Sequence, residues 1–343
     1  MTRSQAVAAG KYALGLALLS YVIFDNRVKL AEALTQPWNL GAWVLTAVFV
    51  ALSATTTFVR WYVLVRAQEL PFTLRDALRI GMIAYFFNAV LPSAIGGDLV
   101  KAVALARKQS RRTVAVATVL ADRIVGLWAI IWLVSGLGAF YSLVNPELLR
   151  SHEWLAGIVR TTWIVLGASV AAWIVVGFLP AERAVRFASR LERLPRIGGS
   201  VAEAWRAVWM YRNKPQAIAM ALGLSFVSQM LYVLCFHHAA QVFAGSAAAQ
   251  VPSLSEHSLI VPLGMIVQAI FPAPGGIGGG EFAFGKMYAQ LRGHEYEYLG
   301  VFGMMALRVT TWAVGFAGYL VGTQTRPSPP PAGETIDVST EPA

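Results

Sequence analysis

Apolar runs long enough to cross a bilayer dominate this chain. A transmembrane helix needs about 20 consecutive, mostly apolar residues. Five stretches reach that length: Leu40 to Val65, Val114 to Val144, Ile158 to Leu179, Ala217 to Ala244 and Leu299 to Gly322. A sixth, Tyr12 to Phe24, is shorter and follows Arg3 and Lys11, the layout of a signal-peptide core, with Ala31-Glu32-Ala33 as a small-x-small cleavage pattern. The charged stretch Asp25 to Lys29 separates core from pattern, which favours an uncleaved anchor. Only 13% of side chains are charged, against about 25% in soluble proteins. The 28 Lys and Arg against 18 Asp and Glu leave a formal charge of +10. In a soluble protein that excess would point to nucleic acid. Here the basic residues lie between apolar runs, so the implied partner is the anionic cytoplasmic leaflet, not nucleic acid. The single cysteine, Cys235, excludes an internal disulfide and a Cys-based zinc site, and reads as a packing residue.

Two further apolar stretches are interrupted. Ile80 to Leu91 meets Pro92-Ser93-Ala94-Ile95-Gly96-Gly97-Asp98 and resumes from Leu99 to Ala106. Leu259 to Phe271 meets Pro272-Ala273-Pro274-Gly275-Gly276-Ile277-Gly278-Gly279-Gly280-Glu281 and resumes from Phe282 to Tyr288. Each half is too short to span at 1.5 Å per residue. Arg66, Arg75 and Arg79 precede the first broken stretch, and Arg107, Lys108, Arg111 and Arg112 follow it, so both its ends read as cytoplasmic and the stretch as a re-entrant hairpin. The arginine-rich segment Ala181 to Pro215 is also cytoplasmic by this rule, and Ala181 to Arg193 has the pattern of a helix lying on the interface. The second hairpin then enters from the outside. The expected fold is all-α and polytopic: about six full spans, two opposed re-entrant hairpins and an inverted repeat, with both termini cytoplasmic in a cell (inner or plasma) membrane. The membrane domain covers residues 1–322, with repeat one about 40–144, the interfacial segment 181–215 and repeat two about 217–322. The proline-rich residues 323–343 read as a disordered cytoplasmic tail.

Charges inside membrane segments are costly unless paired or solvated, so they point to function. Asp122 and Arg123 lie about ten residues beyond Arg112, roughly 15 Å into the membrane, and Arg308 lies similarly deep in the last span. Asp98 and Glu281 follow the glycine breaks, each 25 to 27 residues before an arginine, and Lys101 sits one helical turn beyond Asp98. Two readings apply to Asp98–Arg123 and Glu281–Arg308: ion pairs that hold the hairpins in place, or parts of a site where two opposed repeats meet. Gly96-Gly97 and Gly278-Gly279-Gly280 free the backbone to turn, and each precedes a helix start whose N–H groups attract phosphate. Asp98 and Glu281 at those starts read equally well as caps. Pro92, Pro272 and Pro274 end the preceding half-helices. Arg60, near a helix end, reads as snorkelling, and Trp38, Trp43 and Trp154 as interfacial anchors. The glycine run lacks a Rossmann βαβ context, His237-His238 has no ligand-spaced partner, and His294-Glu295 does not complete a metalloprotease motif. No catalytic residue, metal or cofactor is expected.

Taken together, Asn88-Ala89-Val90-Leu91-Pro92 to Gly96-Gly97-Asp98, Asp122-Arg123-Ile124-Val125-Gly126 and Pro272-Ala273-Pro274-Gly275-Gly276-Ile277-Gly278 with Glu281 resemble the transmembrane region of lysylphosphatidylglycerol synthases, whose stand-alone members are called flippase-like domain proteins. The resemblance covers roughly Leu40 to Gly322. It implies movement of an anionic phospholipid or a polyprenyl-phosphate-linked glycolipid between leaflets, and it does not extend to aminoacyl transfer. On this reading Arg123, Arg308, Lys101, Gly96, Gly97, Gly279 and Gly280 receive the lipid phosphate, while Asp98, Asp122 and Glu281 hold the cations when the site is empty. The alternatives are a membrane-embedded lipid-modifying transferase, with Asp98, Asp122, Glu281 or His237 as its base, and an accessory partner of an envelope lipid or glycan synthesis enzyme.

Overall fold

A computed structural model describes residues 3–90, 96–194 and 198–326. Among the described residues every regular element is helical. The helices are α1 (Arg3–Asp25), α2 (Arg27–Leu34), α3 (Leu40–Ala67), α4 (Leu74–Val90), α5 (Gly96–Ala106), α6 (Arg112–Val144), α7 (Pro146–Arg150), α8 (Glu153–Phe178), α9 (Ala181–Leu191), α10 (Gly198–Met210), α11 (Pro215–Gln241), α12 (Leu254–Ile270), α13 (Gly279–Arg292) and α14 (Glu297–Gln324). Local chemistry sets many of these boundaries. The Asn39 side chain accepts from Ala42 N at 3.0 Å to open α3, and Pro146 and Pro215 occupy first-turn positions of α7 and α11, where a missing N–H costs nothing. Ser253 and Glu256 form a reciprocal capping box on α12. Gly293, at φ 105°, closes α13.

Five helices are long and apolar enough to cross a membrane: α3, α6, α8, α11 and the segment His294–Gln324 that contains α14. They coincide with the five long runs in the sequence. The sixth expected span lies in α1, which has 23 residues but is not among those five. It packs on the second broken stretch, where Gly15 lies close against Ala273 and Ile277. Both interrupted stretches form two helices around a break, α4 with α5 and α12 with α13. Pro92 falls outside the described residues. So does the tail from residue 327 onward; Thr323 and Gln324, assigned to the tail by sequence, extend α14.

The helices that touch form a regular pattern. α3 pairs most extensively with α11. Within one quartet α3 touches α4 and α6, α4 touches α5, and α5 touches α6; within the other, α11 touches α12 and α14, α12 touches α13, and α13 touches α14. Between quartets, α3 meets α14 and α11 meets α6, while α4 meets α14 and α12 meets α6. Exchanging the quartets leaves this set of contacts unchanged. The largest apolar core sits in the second quartet around Phe236, Phe284, Leu299 and Phe302, with the Phe236 and Phe284 rings stacked at 3.9 Å. α14 is the most enclosed of the five long helices and α8 the most exposed. The outward apolar side chains Leu52, Ile164, Val175 and Phe316 suit contact with lipid tails.

Candidate functional site

Each broken stretch carries one carboxylate–arginine bridge to the next long helix. In the second, Arg308 of α14 is buried, with Nε donating to Glu281 Oε1 at 2.6 Å and Nη2 to Glu281 Oε2 at 3.0 Å. Its Nη1 also donates to the Gly275 carbonyl at 2.8 Å and its Nη2 to that of Gly276 at 3.3 Å. One guanidinium thus holds both the helix that follows the break and the break itself. Glu281 has a second task, since Oε2 accepts from Gly278 N at 2.9 Å. Glu281 thus both pairs with Arg308 and caps the start of α13, because a carboxylate has two oxygens and several acceptor sites. Gly275, Gly276 and Gly278 have φ of 57°, 65° and 82°, left-handed values that a β-carbon disfavours. Pro272 lies two residues before this turn, and Pro274 begins it.

In the first stretch Asp98 of α5 accepts from Arg123 Nη1 of α6 at 2.7 Å, with both side chains partly exposed. Gly96 and Gly97 open α5 and are buried. A β-carbon at Gly97 would run into the Ala84 carbonyl oxygen and the Asn88 side chain. This close approach lets Asn88 Oδ1 accept from Gly97 N at 2.8 Å. Gly279 and Gly280 are buried likewise, against Phe271 and Gln268.

Asp122 does not join Arg123. It faces the other way along α6, accepting from Arg60 Nε at 2.7 Å, with Lys101 Nζ 3.6 Å from its second oxygen. Arg60 is 8% exposed and also donates to Ser225 Oγ at 3.0 Å. The snorkelling assigned to Arg60 is thereby corrected: the end of α3 lies about 10 Å away, while Asp122 and Ser225 from neighbouring helices lie within hydrogen-bonding reach. Lys101 is buried between Asp122 and the face of Trp61, 5.2 Å from the ring centroid. The cluster holds two cations and one carboxylate. Trp43, read as an interfacial anchor, donates its indole N–H to Thr310 on α14 at 2.8 Å.

The second break lies against the first helix of the other broken stretch. The turn at Pro274–Gly276 contacts α4. A cavity of about 120 Å³ opens there, lined by Tyr85, Asn88, Tyr232, Gln268, Gly275 and Arg308 among others. Asn88 belongs to the first broken stretch, and Gly275 and Gln268 to the second. Arg123, Lys101 and Asp98 do not line this cavity. Sequence spacing identified Arg308 but not Asn88 or Gln268, because uncharged amides carry no cost signal in an apolar run. Spacing also missed a partly buried chain in which His237 Nδ1 lies 2.8 Å from His257 Nδ1, and His257 Nε2 lies 2.6 Å from the Tyr288 hydroxyl. Its members sit 20 and 31 residues apart and meet only through the packing of α11, α12 and α13. No cluster of three or more potential metal-ligating side chains occurs among the described residues.

Long apolar helices, paired broken stretches and buried bridges define a polytopic, all-helical membrane protein. The chain matches the family model described as the lysylphosphatidylglycerol synthase TM region over residues 8–318, and it belongs to that family. The match reaches beyond Leu40 to include most of α1. It places the protein among membrane proteins with a lipid-related function. No protein of curated function and no solved structure matches the chain.

Proposed function

We propose that the protein moves an anionic phospholipid or a polyprenyl-phosphate-linked glycolipid between the leaflets of a cell membrane. The observation that carries this reading is the cavity between the two broken stretches, with Asn88, Gln268 and the buried Arg308 in its wall. A cation in an apolar setting favours an anionic visitor, and a headgroup phosphate can take the place of Glu281 on Arg308. Asn88, Gln268 and the glycine carbonyls and amides would accept or donate to the rest of the headgroup. Arg123 and Asp98 form the corresponding exchangeable bridge at the first break, where their partial exposure suits the mouth of the pathway. Asp122 and Lys101 act with Arg60 in support of α3, α5 and α6. The exchange pattern of helix contacts supports reading the quartets as inverted repeats that rock about the α3–α11 pairing and open the cavity to each leaflet in turn. On this reading the termini are cytoplasmic, no covalent step occurs, and any lipid- or glycan-synthesis enzyme is a partner supplying the cargo.

Proteoliposomes carrying fluorescent anionic lipids test the proposal. Wild type should make inner-leaflet label accessible to an external quencher, and the charge-neutral Glu281→Gln/Arg308→Gln variant should not. Equal rates in the two would overturn the site. Chemical conversion of the lipid, detected by mass spectrometry, would replace transport with a transferase reading.

A further inference from the structure

A second, larger pair of cavities lies away from the hairpins, where α8, α9 and α10 pack beside α6. The inner one, about 470 Å³, is lined by Trp128, Ala172, Trp173, Val176, Trp205 and neighbouring apolar side chains. This volume is within the range of about 300–1,000 Å³ usual for ligand sites. Its principal polar groups are already engaged: Trp128 Nε1 donates to Ser169 Oγ at 2.8 Å, Trp205 Nε1 to the Ala184 carbonyl at 3.0 Å, and the Tyr211 hydroxyl to the Leu64 carbonyl at 2.8 Å. What remains facing the space is hydrocarbon and aromatic surface.

The outer cavity, about 560 Å³, shares Ala172, Val176 and Trp205 with the inner one and is walled by Arg183, Arg186, Phe187 and Arg190. These four occupy positions i, i+3, i+4 and i+7 of α9, one face of a helix. Arg183 and Arg190 have no carboxylate within salt-bridge distance among the described residues, and Arg186 has only the exposed Glu182 at 4.0 Å. α9 begins three residues after α8 ends. The arginines therefore stand at the end of a membrane-crossing helix whose flank forms the apolar cavity.

We infer that these joined cavities bind one anionic phospholipid, with an acyl chain along α8 between Trp128, Trp173 and Trp205 and the phosphate under Arg183, Arg186 and Arg190. The arginines and the apolar volume are complementary to the two ends of such a molecule. The inference does not depend on the transport reading, since the site shares no residue with the cavity at Arg308.

Native mass spectrometry of the detergent-purified full chain, titrated with dioleoyl phosphatidylglycerol or dioleoyl phosphatidylcholine, tests it. Wild type should retain the anionic lipid at least ~10-fold better, on the basis of roughly fivefold per arginine near a membrane surface. In the Glu281→Gln/Arg308→Gln background, which removes the anion site proposed at the second break, the anionic lipid should still be preferred, and adding Arg183→Gln/Arg186→Gln/Arg190→Gln should abolish that preference. Ala172→Trp, which fills the shared wall, should weaken retention of both lipids with the arginines intact. If the triple variant does not fold, by thermal melting, Arg190→Gln alone should reduce the preference about fivefold. A Glu281→Gln/Arg308→Gln protein without preference, a folded triple variant that keeps the preference in that background, or displacement of the lipid by millimolar glycerol phosphate would overturn the inference.

Discussion

Arg308 is asked to do two opposed things, to hold a break in the chain and to receive an anion. Its four hydrogen bonds, two to Glu281 and two to the turn at Gly275 and Gly276, give it a structural role. Arg308→Ala should therefore destabilise the protein by about 3–5 kcal/mol, because it leaves a buried carboxylate unpaired. Neutralising both partners as Glu281→Gln/Arg308→Gln should cost much less, and thermal unfolding in detergent separates the two. Asp122→Asn should be similarly damaging, since it leaves Arg60 and Lys101 buried without a carboxylate. Arg123→Ala should be milder, because the Asp98 it abandons is partly exposed and can be solvated. Gly97→Ala should destabilise by about 1–3 kcal/mol or more, since the added methyl meets the Ala84 carbonyl.

At the scale of elements, the fit between α4 and α14 is where one quartet would slide or rock against the other. A β-carbon at Gly318 of α14 would stand 3.5 Å from Cβ of Met82 on α4, inside the separation of about 3.5–4.5 Å that a disulfide spans. Met82→Cys/Gly318→Cys should therefore cross-link on oxidation, with the native Cys235 buried and out of competition. If the quartets rock, the oxidised protein should transport no labelled lipid and dithiothreitol should restore the rate. Undiminished transport by the fully cross-linked protein would exclude movement at this pair. α9 was legible in the sequence from its arginine-interleaved pattern, but α10 was not, since its Gly198-Gly199 start and mixed composition look like a loop until α6 and α9 cover it.

For the whole molecule, the basic excess sorts into loops and sites. The connection through α7 carries Glu147, Arg150 and Glu153, whereas residues 181–215 are arginine-rich, so α8 should separate two compartments. Cysteines placed at the exposed Ser151 and Ser189 should be labelled by a membrane-impermeant maleimide from opposite sides, the latter only in inside-out vesicles. Labelling of both from one side would refute the crossing and the orientation together.

The sequence alone determined the class of fold, the five long helices, the two breaks and the partners Asp98–Arg123 and Glu281–Arg308. These are properties of hydrophobic length, backbone freedom and the cost of unpaired charge, all of which act locally or leave a mark at fixed spacing. Tertiary structure alone decided that Asp122 serves Arg60 and Lys101, that Asn88 and Gln268 join Arg308, and that His257 bridges His237 and Tyr288. It also decided that the arginines of α9 sit at the mouth of an apolar cavity. Those assignments depend on which faces of distant helices come together. In a membrane, where every helix is apolar outside, that choice is made by small residues, amides and shape, not by any pattern along the chain.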